Sequence, residues 1–102
     1  MLYTLPSLLE MMFVERADGL HLHPDETPVL ELARNLFRIS GPPIEAGDVE
    51  ALLRQISSKE EFREFQSSGI VQCYHHLPGR SWFVVLAFRE QGQIRLEIRS
   101  MR

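Results

Sequence analysis

Four histidines are the residues of this sequence best suited to chemistry. His21 and His23 lie two apart, and His75 and His76 are adjacent. Imidazole binds metals and moves protons near neutral pH, so the pairing prompts a metal hypothesis. On a strand, residues two apart share a face and adjacent residues do not. A zinc site would need His21, His23, one of His75 or His76, and a carboxylate such as Asp25 or Glu26. Nothing in the spacing demands that set, and solvated or hydrogen-bonded imidazoles are the simpler account. We assign these residues no metal and no cofactor.

Arg34, Arg38, Arg89, Arg95 and Arg99 carry guanidinium groups, which suit phosphate. Their simpler role is as exposed strand and turn residues. Glu60 and Glu61 read as a solvated helix face. The sequence holds no Gly-rich phosphate loop and no serine in a nucleophile elbow. Cys73 stands alone, so no disulfide can form within the chain, and it reads as a small core residue. Without a nucleophile-base constellation, we expect no enzyme in this chain.

The bulk properties agree. A chain of 102 residues, 44% hydrophobic and 25% charged, fits one domain spanning 1–102. Net charge of -3 argues against a nucleic-acid partner. The lone cysteine suits a reducing compartment, hence a cytoplasmic protein. Glu10, Glu15 and Arg16 interrupt the apolar start, so we expect neither a signal peptide nor membrane insertion.

Which elements would position these residues? Leu8, Leu9, Met12 and Phe13 predict an amphipathic helix over 4–16, capped by Thr4 or Ser7, with Ser7 and Glu10 at capping-box spacing. Short strands follow at Gly19–His23, Val29–Leu32 and Leu36–Ile39, with a tight turn at Arg34-Asn35. Val49, Leu52, Leu53 and Ile56 mark a second helix. Ser58 and Glu61 open a third, which Gly69 ends. Val71–Leu77, Trp82–Arg89 and Ile94–Ile98 complete the pattern as strands. In the last, Arg95, Glu97 and Arg99 form one wet face.

Trp82 to Phe88 is seven apolar residues in a row. A half-buried strand alternates, so this one has two apolar faces. The second face must meet another layer of the domain, a partner, or a second copy of the chain.

Several colinear strings resemble the N-terminal domain of PilT-type twitching-motility ATPases, the type IV pilus retraction motors related to type II secretion ATPases. They are Ala17-Asp18-Gly19-Leu20-His21-Leu22, Pro28 to Ile39, Gly41-Pro42-Pro43, Asp48-Val49-Glu50-Ala51-Leu52-Leu53, Phe65 to Gly69, Pro78-Gly79, Phe83, Phe88-Arg89 and Gly92. The resemblance implies an α+β, PAS-like domain, with about six largely antiparallel strands and three helices. That family's strand reads Arg-Phe-Arg-Val-Asn-x-Phe, and its arginines are implied to reach nucleotide or a neighbouring subunit. Here Trp82, Val84 and Leu86 stand at the two arginine positions and the asparagine. Arg89 alone keeps the basic character of the following turn, as a phosphate or partner contact.

These readings give a non-catalytic interaction or regulatory domain related to pilus and secretion motors. Trp82, Val84 and Leu86 would form a dry contact with a motor ATPase or with a second copy in a homodimer. An alternative is a PAS-like sensor, holding a small molecule between sheet and helices through His21, His23 or Tyr74. Another is the N-terminal domain of a full retraction ATPase, which a Gly-rich Lys-Ser/Thr loop beyond Arg102 would reveal.

Overall fold

Thr4 starts the first helix. In the computed structural model, which describes residues 3–101, its hydroxyl accepts the Ser7 N–H at 3.3 Å. Helix α1 then runs Leu5–Glu15, and Arg16 ends it in the left-handed conformation. Ser7 lies inside the helix, so the Ser7–Glu10 capping box does not form. Glu10 instead accepts from Arg80 Nη2 at 2.8 Å, and the Arg80 guanidinium lies 4.7 Å over the Phe13 ring. One arginine thus ties α1 to a distant turn.

Strands β1 (Gly19–Leu22), β2 (Val29–Leu32) and β3 (Asn35–Arg38) follow, then helices α2 (Ala46–Ile56) and α3 (Lys59–Ser68), then β4 (Ile70–Leu77), β5 (Ser81–Glu90) and β6 (Gln93–Met101). This is the expected α+β set: six strands and three helices among the described residues. Ser58 and Glu61 form the expected capping box. Gly69 ends α3 at φ +81, where a side chain is strained.

The turn between β2 and β3 differs from the expectation. Leu32 pairs with Asn35, so the turn is Ala33-Arg34 rather than Arg34-Asn35. Both residues have positive φ, 49° and 71°, as a two-residue hairpin turn of this hand requires. Alanine and arginine are poor turn formers, so the sequence hid the site. The Asp18 carboxylate helps, accepting the Ala33 N–H at 3.1 Å. Left-handed backbone costs an L-residue roughly 1–2 kcal/mol. Arg34→Gly should therefore stabilise the protein by about 1 kcal/mol. A lower denaturation midpoint in the variant would mean the Arg34 side chain contributes more than its strain costs.

The strands form one sheet in the order β3-β2-β1-β6-β5-β4, every neighbouring pair antiparallel. The α2–α3 connection carries the chain from one edge, β3, to the other, β4. Leu20, Leu22, Val71, Cys73, Phe83, Val85, Ala87, Leu96 and Ile98 turn to one side of the sheet and are buried. There they join Leu8, Leu9 and Met12 of α1, Val49, Leu52 and Leu53 of α2, and Phe65 of α3 in one continuous core. All three helices therefore lie on the same face. Among the described residues, no helix is long and apolar enough to cross a membrane.

Candidate functional site: the uncovered face of the sheet

Strand β5 shows what a one-sided helix layer does to a seven-residue apolar run. Phe83, Val85 and Ala87 are buried, with Phe83 only 1% exposed. Trp82, Val84, Leu86 and Phe88 point the other way, and Trp82 is 52% exposed. No layer of this chain among the described residues covers them. The three residues singled out from sequence do share this face, and Phe88 extends their row.

Neighbouring strands widen the row. Pairing sets Tyr74 beside Val84, Ile70 beside Phe88 and His76 beside Trp82 on the β4 side. Met101 lies beside Trp82 on the β6 side. Tyr74 and Ile70 are about half exposed, at 53% and 51%. The His76 ring stacks on Trp82, with centroids 4.7 Å apart. Sequence reasoning missed this widening, although Ile70, Gln72, Tyr74 and His76 alternate against Val71, Cys73, His75 and Leu77. That period of two was the available signal.

Beside the apolar row runs a ladder of ion pairs. Glu31 of β2, His21 of β1, and Glu97 and Arg99 of β6 close a ring of polar contacts. His21 Nε2 lies 3.2 Å from Glu31 Oε1, and Nδ1 lies 3.6 Å from Glu97 Oε1. Arg99 Nη1 meets Glu31 Oε2 at 3.3 Å, and Nη2 meets Glu97 Oε1 at 3.5 Å. Hydrogen bonds from Arg99 and then His21 hold the Glu31 carboxyl below the usual carboxylate range. Arg95 Nη1 meets Glu90 Oε1 at 3.1 Å, although its buried Nε has no hydrogen-bond partner among the described residues. The face is thus an apolar row bordered by charges that largely neutralise one another in plane.

The other candidates are dispersed. Arg89 lies on the helix side, its guanidinium 5.0 Å from the Phe65 ring centroid. It does not join Trp82, Val84 and Leu86, because odd and even positions of a strand face opposite ways. His21, His23 and Tyr74 do not line a space between sheet and helices. His21 and Tyr74 belong to the outer face, and His23 lies 3.5 Å from Glu26 at the end of β1. Parity corrects the sensor reading for His21 and Tyr74, while His23, beyond the end of β1, lines a surface cleft with His21, Glu26 and Arg38. Among the described residues, no group of three or more His, Cys, Asp or Glu side chains is placed to hold a metal.

Cys73 is fully buried on the helix side. Burial, and secondarily the nearby Glu61, pushes its thiol up to about 11. The thiolate is the reacting form, so native alkylation at pH 8 should run roughly a hundredfold slower than in the unfolded chain. Fast native labelling would show that α3 opens readily from β4.

Comparison with protein-family models and with curated protein sequences finds no match. Comparison with solved structures finds the fold. The chain superposes on the pilus retraction motor PilT crystallised with ADP, at TM-score 0.89 and 16% identity, over 98% of this chain. It also superposes on the ATPase DotB of Legionella pneumophila, at TM-score 0.73 and 17% identity over 95% of this chain. The DotB ATPase of Yersinia pseudotuberculosis gives TM-score 0.75 and 14% identity, again over 95%. In each case the match spans only 29% of the longer protein. At such identities the likeness is one of fold: this chain is built like the N-terminal region of these ATPases.

Proposed function

We propose that this chain is a non-catalytic docking domain whose outer sheet face seats an ATPase core of the PilT and DotB kind. The observation that carries the reading is the uncovered apolar row of Trp82, Val84, Leu86 and Phe88. The fold similarity supports the choice of occupant, because the matched region spans only 29% of each of those ATPases and the rest of the chain accompanies it. The resemblance puts arginines where this chain has Trp82 and Val84, so the partner surface here must be apolar rather than phosphate-bearing. Arg89 stands apart from this contact, on the opposite face.

The chemistry of the face fits docking better than catalysis. Aromatic residues are enriched where binding energy concentrates, and Trp82 is the largest side chain in the row. The bordering ion pairs can form a rim without leaving unpaired charge beneath a partner.

The test uses the core of a PilT-type ATPase, produced apart from its own N-terminal region. The core should first be shown to bind ADP, which establishes that it is folded. Light scattering after gel filtration should then show a stoichiometric complex with this chain. An ADP-competent core that never co-elutes with it would overturn the reading.

A further inference from the structure

We propose that strand β4 is a self-pairing edge, through which two copies of this chain join antiparallel about a two-fold axis at Tyr74. This goes beyond the docking reading, because the edge of the sheet and its outer face are separate surfaces.

The two edges of the sheet are built differently. The β3 edge has four residues and ends in Arg38, with Arg34 in the turn before it and Pro42-Pro43 soon after. Short length, charge and proline are the usual devices that stop an edge from pairing with another chain. The β4 edge has none of them. It runs eight residues, Ile-Val-Gln-Cys-Tyr-His-His-Leu, with no proline, glycine, lysine, arginine or carboxylate. It pairs with β5 alone. At its ends, the Ser68 hydroxyl donates to Ile70 O at 2.9 Å and Leu77 O accepts the Arg80 N–H at 3.0 Å. Between them, no backbone hydrogen bond runs outward from Val71 to His76 within the described residues. A strand is the partner that satisfies such a row.

The side chains select a second copy as that strand. In an antiparallel pair, directly opposed residues lie on the same face of the sheet. Self-pairing must therefore centre on a residue. Centred on Tyr74, it sets Gln72 against His76 of the second copy, Cys73 against His75, and Val71 against Leu77. Two of these three pairs match in kind, Gln72 with His76 and Val71 with Leu77, and no like charges are opposed. Centred on Cys73, it would set Val71 against His75 and Ile70 against His76, a poorer match. In the Tyr74 register the two Tyr74 rings meet at the axis, and the outer apolar rows of both copies join across the edge.

Sedimentation equilibrium across a wide concentration range tests this. The wild-type chain should show a reversible monomer–dimer equilibrium. Tyr74→Lys sets two ammonium groups face to face at the axis and should weaken the dimer by roughly tenfold or more. Tyr74 is half exposed, so the fold should survive; if circular dichroism shows otherwise, Gln72→Lys replaces it. Trp82→Asp, on the face rather than the edge, should leave the dimer intact. Mild oxidation of Cys73→Ala/Tyr74→Cys should yield a disulfide-linked dimer, because opposed strand positions lie within reach of that bond. A wild-type chain that stays monomeric throughout would overturn the proposal. So would a dimer indifferent to Tyr74→Lys or Gln72→Lys, and a dimer lost in Trp82→Asp but kept in those variants would move the contact to the face.

Discussion

Phe83→Ala is expected to cost about 3–5 kcal/mol of folding free energy, while Trp82→Ala, one residue away, costs under about 1 kcal/mol. The two rings differ in what surrounds them. Phe83 is 1% exposed and packs in the core cluster that includes Met12 and Phe65, so its removal loses burial and opens a cavity. Trp82 is 52% exposed and gives up a stack on His76, with most of its surface already in water. Domains of this size are stable by about 5–15 kcal/mol, so Phe83→Ala removes a large share of the total. Urea unfolding of both variants, monitored by circular dichroism, measures the difference directly. Equal costs would mean that the outer face is covered in solution, and the one-sided helix layer would then be an incomplete account of the fold.

The same pair of residues shows where sequence reading stops. Capping signals are local, and Ser58 with Glu61 and the Gly69 stop were legible because each element end is set by a few neighbouring residues. The existence of a doubly apolar β5 was legible for the same reason. Which of its faces is free was not legible in the run itself, because a run apolar at every position carries no period to orient it; only the resemblance, by setting Trp82, Val84 and Leu86 at the family's polar positions, pointed to the outer face. That answer depends on where α1, α2 and α3 pack. The charge ring was out of reach for a related reason. His21, Glu31, Glu97 and Arg99 sit on β1, β2 and β6, and only the sheet order brings those strands together. Arg89 is a different case: its parity with Phe83, Val85 and Ala87 places it on the helix side, apart from the Trp82 row, and it is exposed there. The Ala33-Arg34 turn was hidden because its two residues bear the required backbone against their own preference.

Trp82→Asp combined with Leu86→Asp is expected to weaken binding of the ATPase core by at least roughly a hundredfold while leaving the thermal midpoint within a few degrees. Truncating an interfacial tryptophan that acts as a hot spot commonly costs about 2 kcal/mol or more, which alone is roughly thirtyfold. Carboxylates add desolvation that an apolar partner surface cannot repay. Leu86 pairs with Glu97 across the strand, so the second carboxylate there costs some fold stability, which the thermal midpoint reads separately from binding. Aspartate is a sharper probe than arginine here. Arginine at positions 82 and 84 would recreate the side chains that the resemblance places on this strand, so Trp82→Arg/Val84→Arg could trade one mode of contact for another. The stability readout separates loss of docking from loss of fold, because both altered side chains lie outside the buried core. Calorimetric titration of the variant and the wild-type chain with the same ADP-competent core gives the ratio. Unchanged affinity would remove the outer face from the contact. Arg89→Ala on the helix side would then become the informative variant, since it keeps the Trp82 row intact and alters only the one basic residue over Phe65.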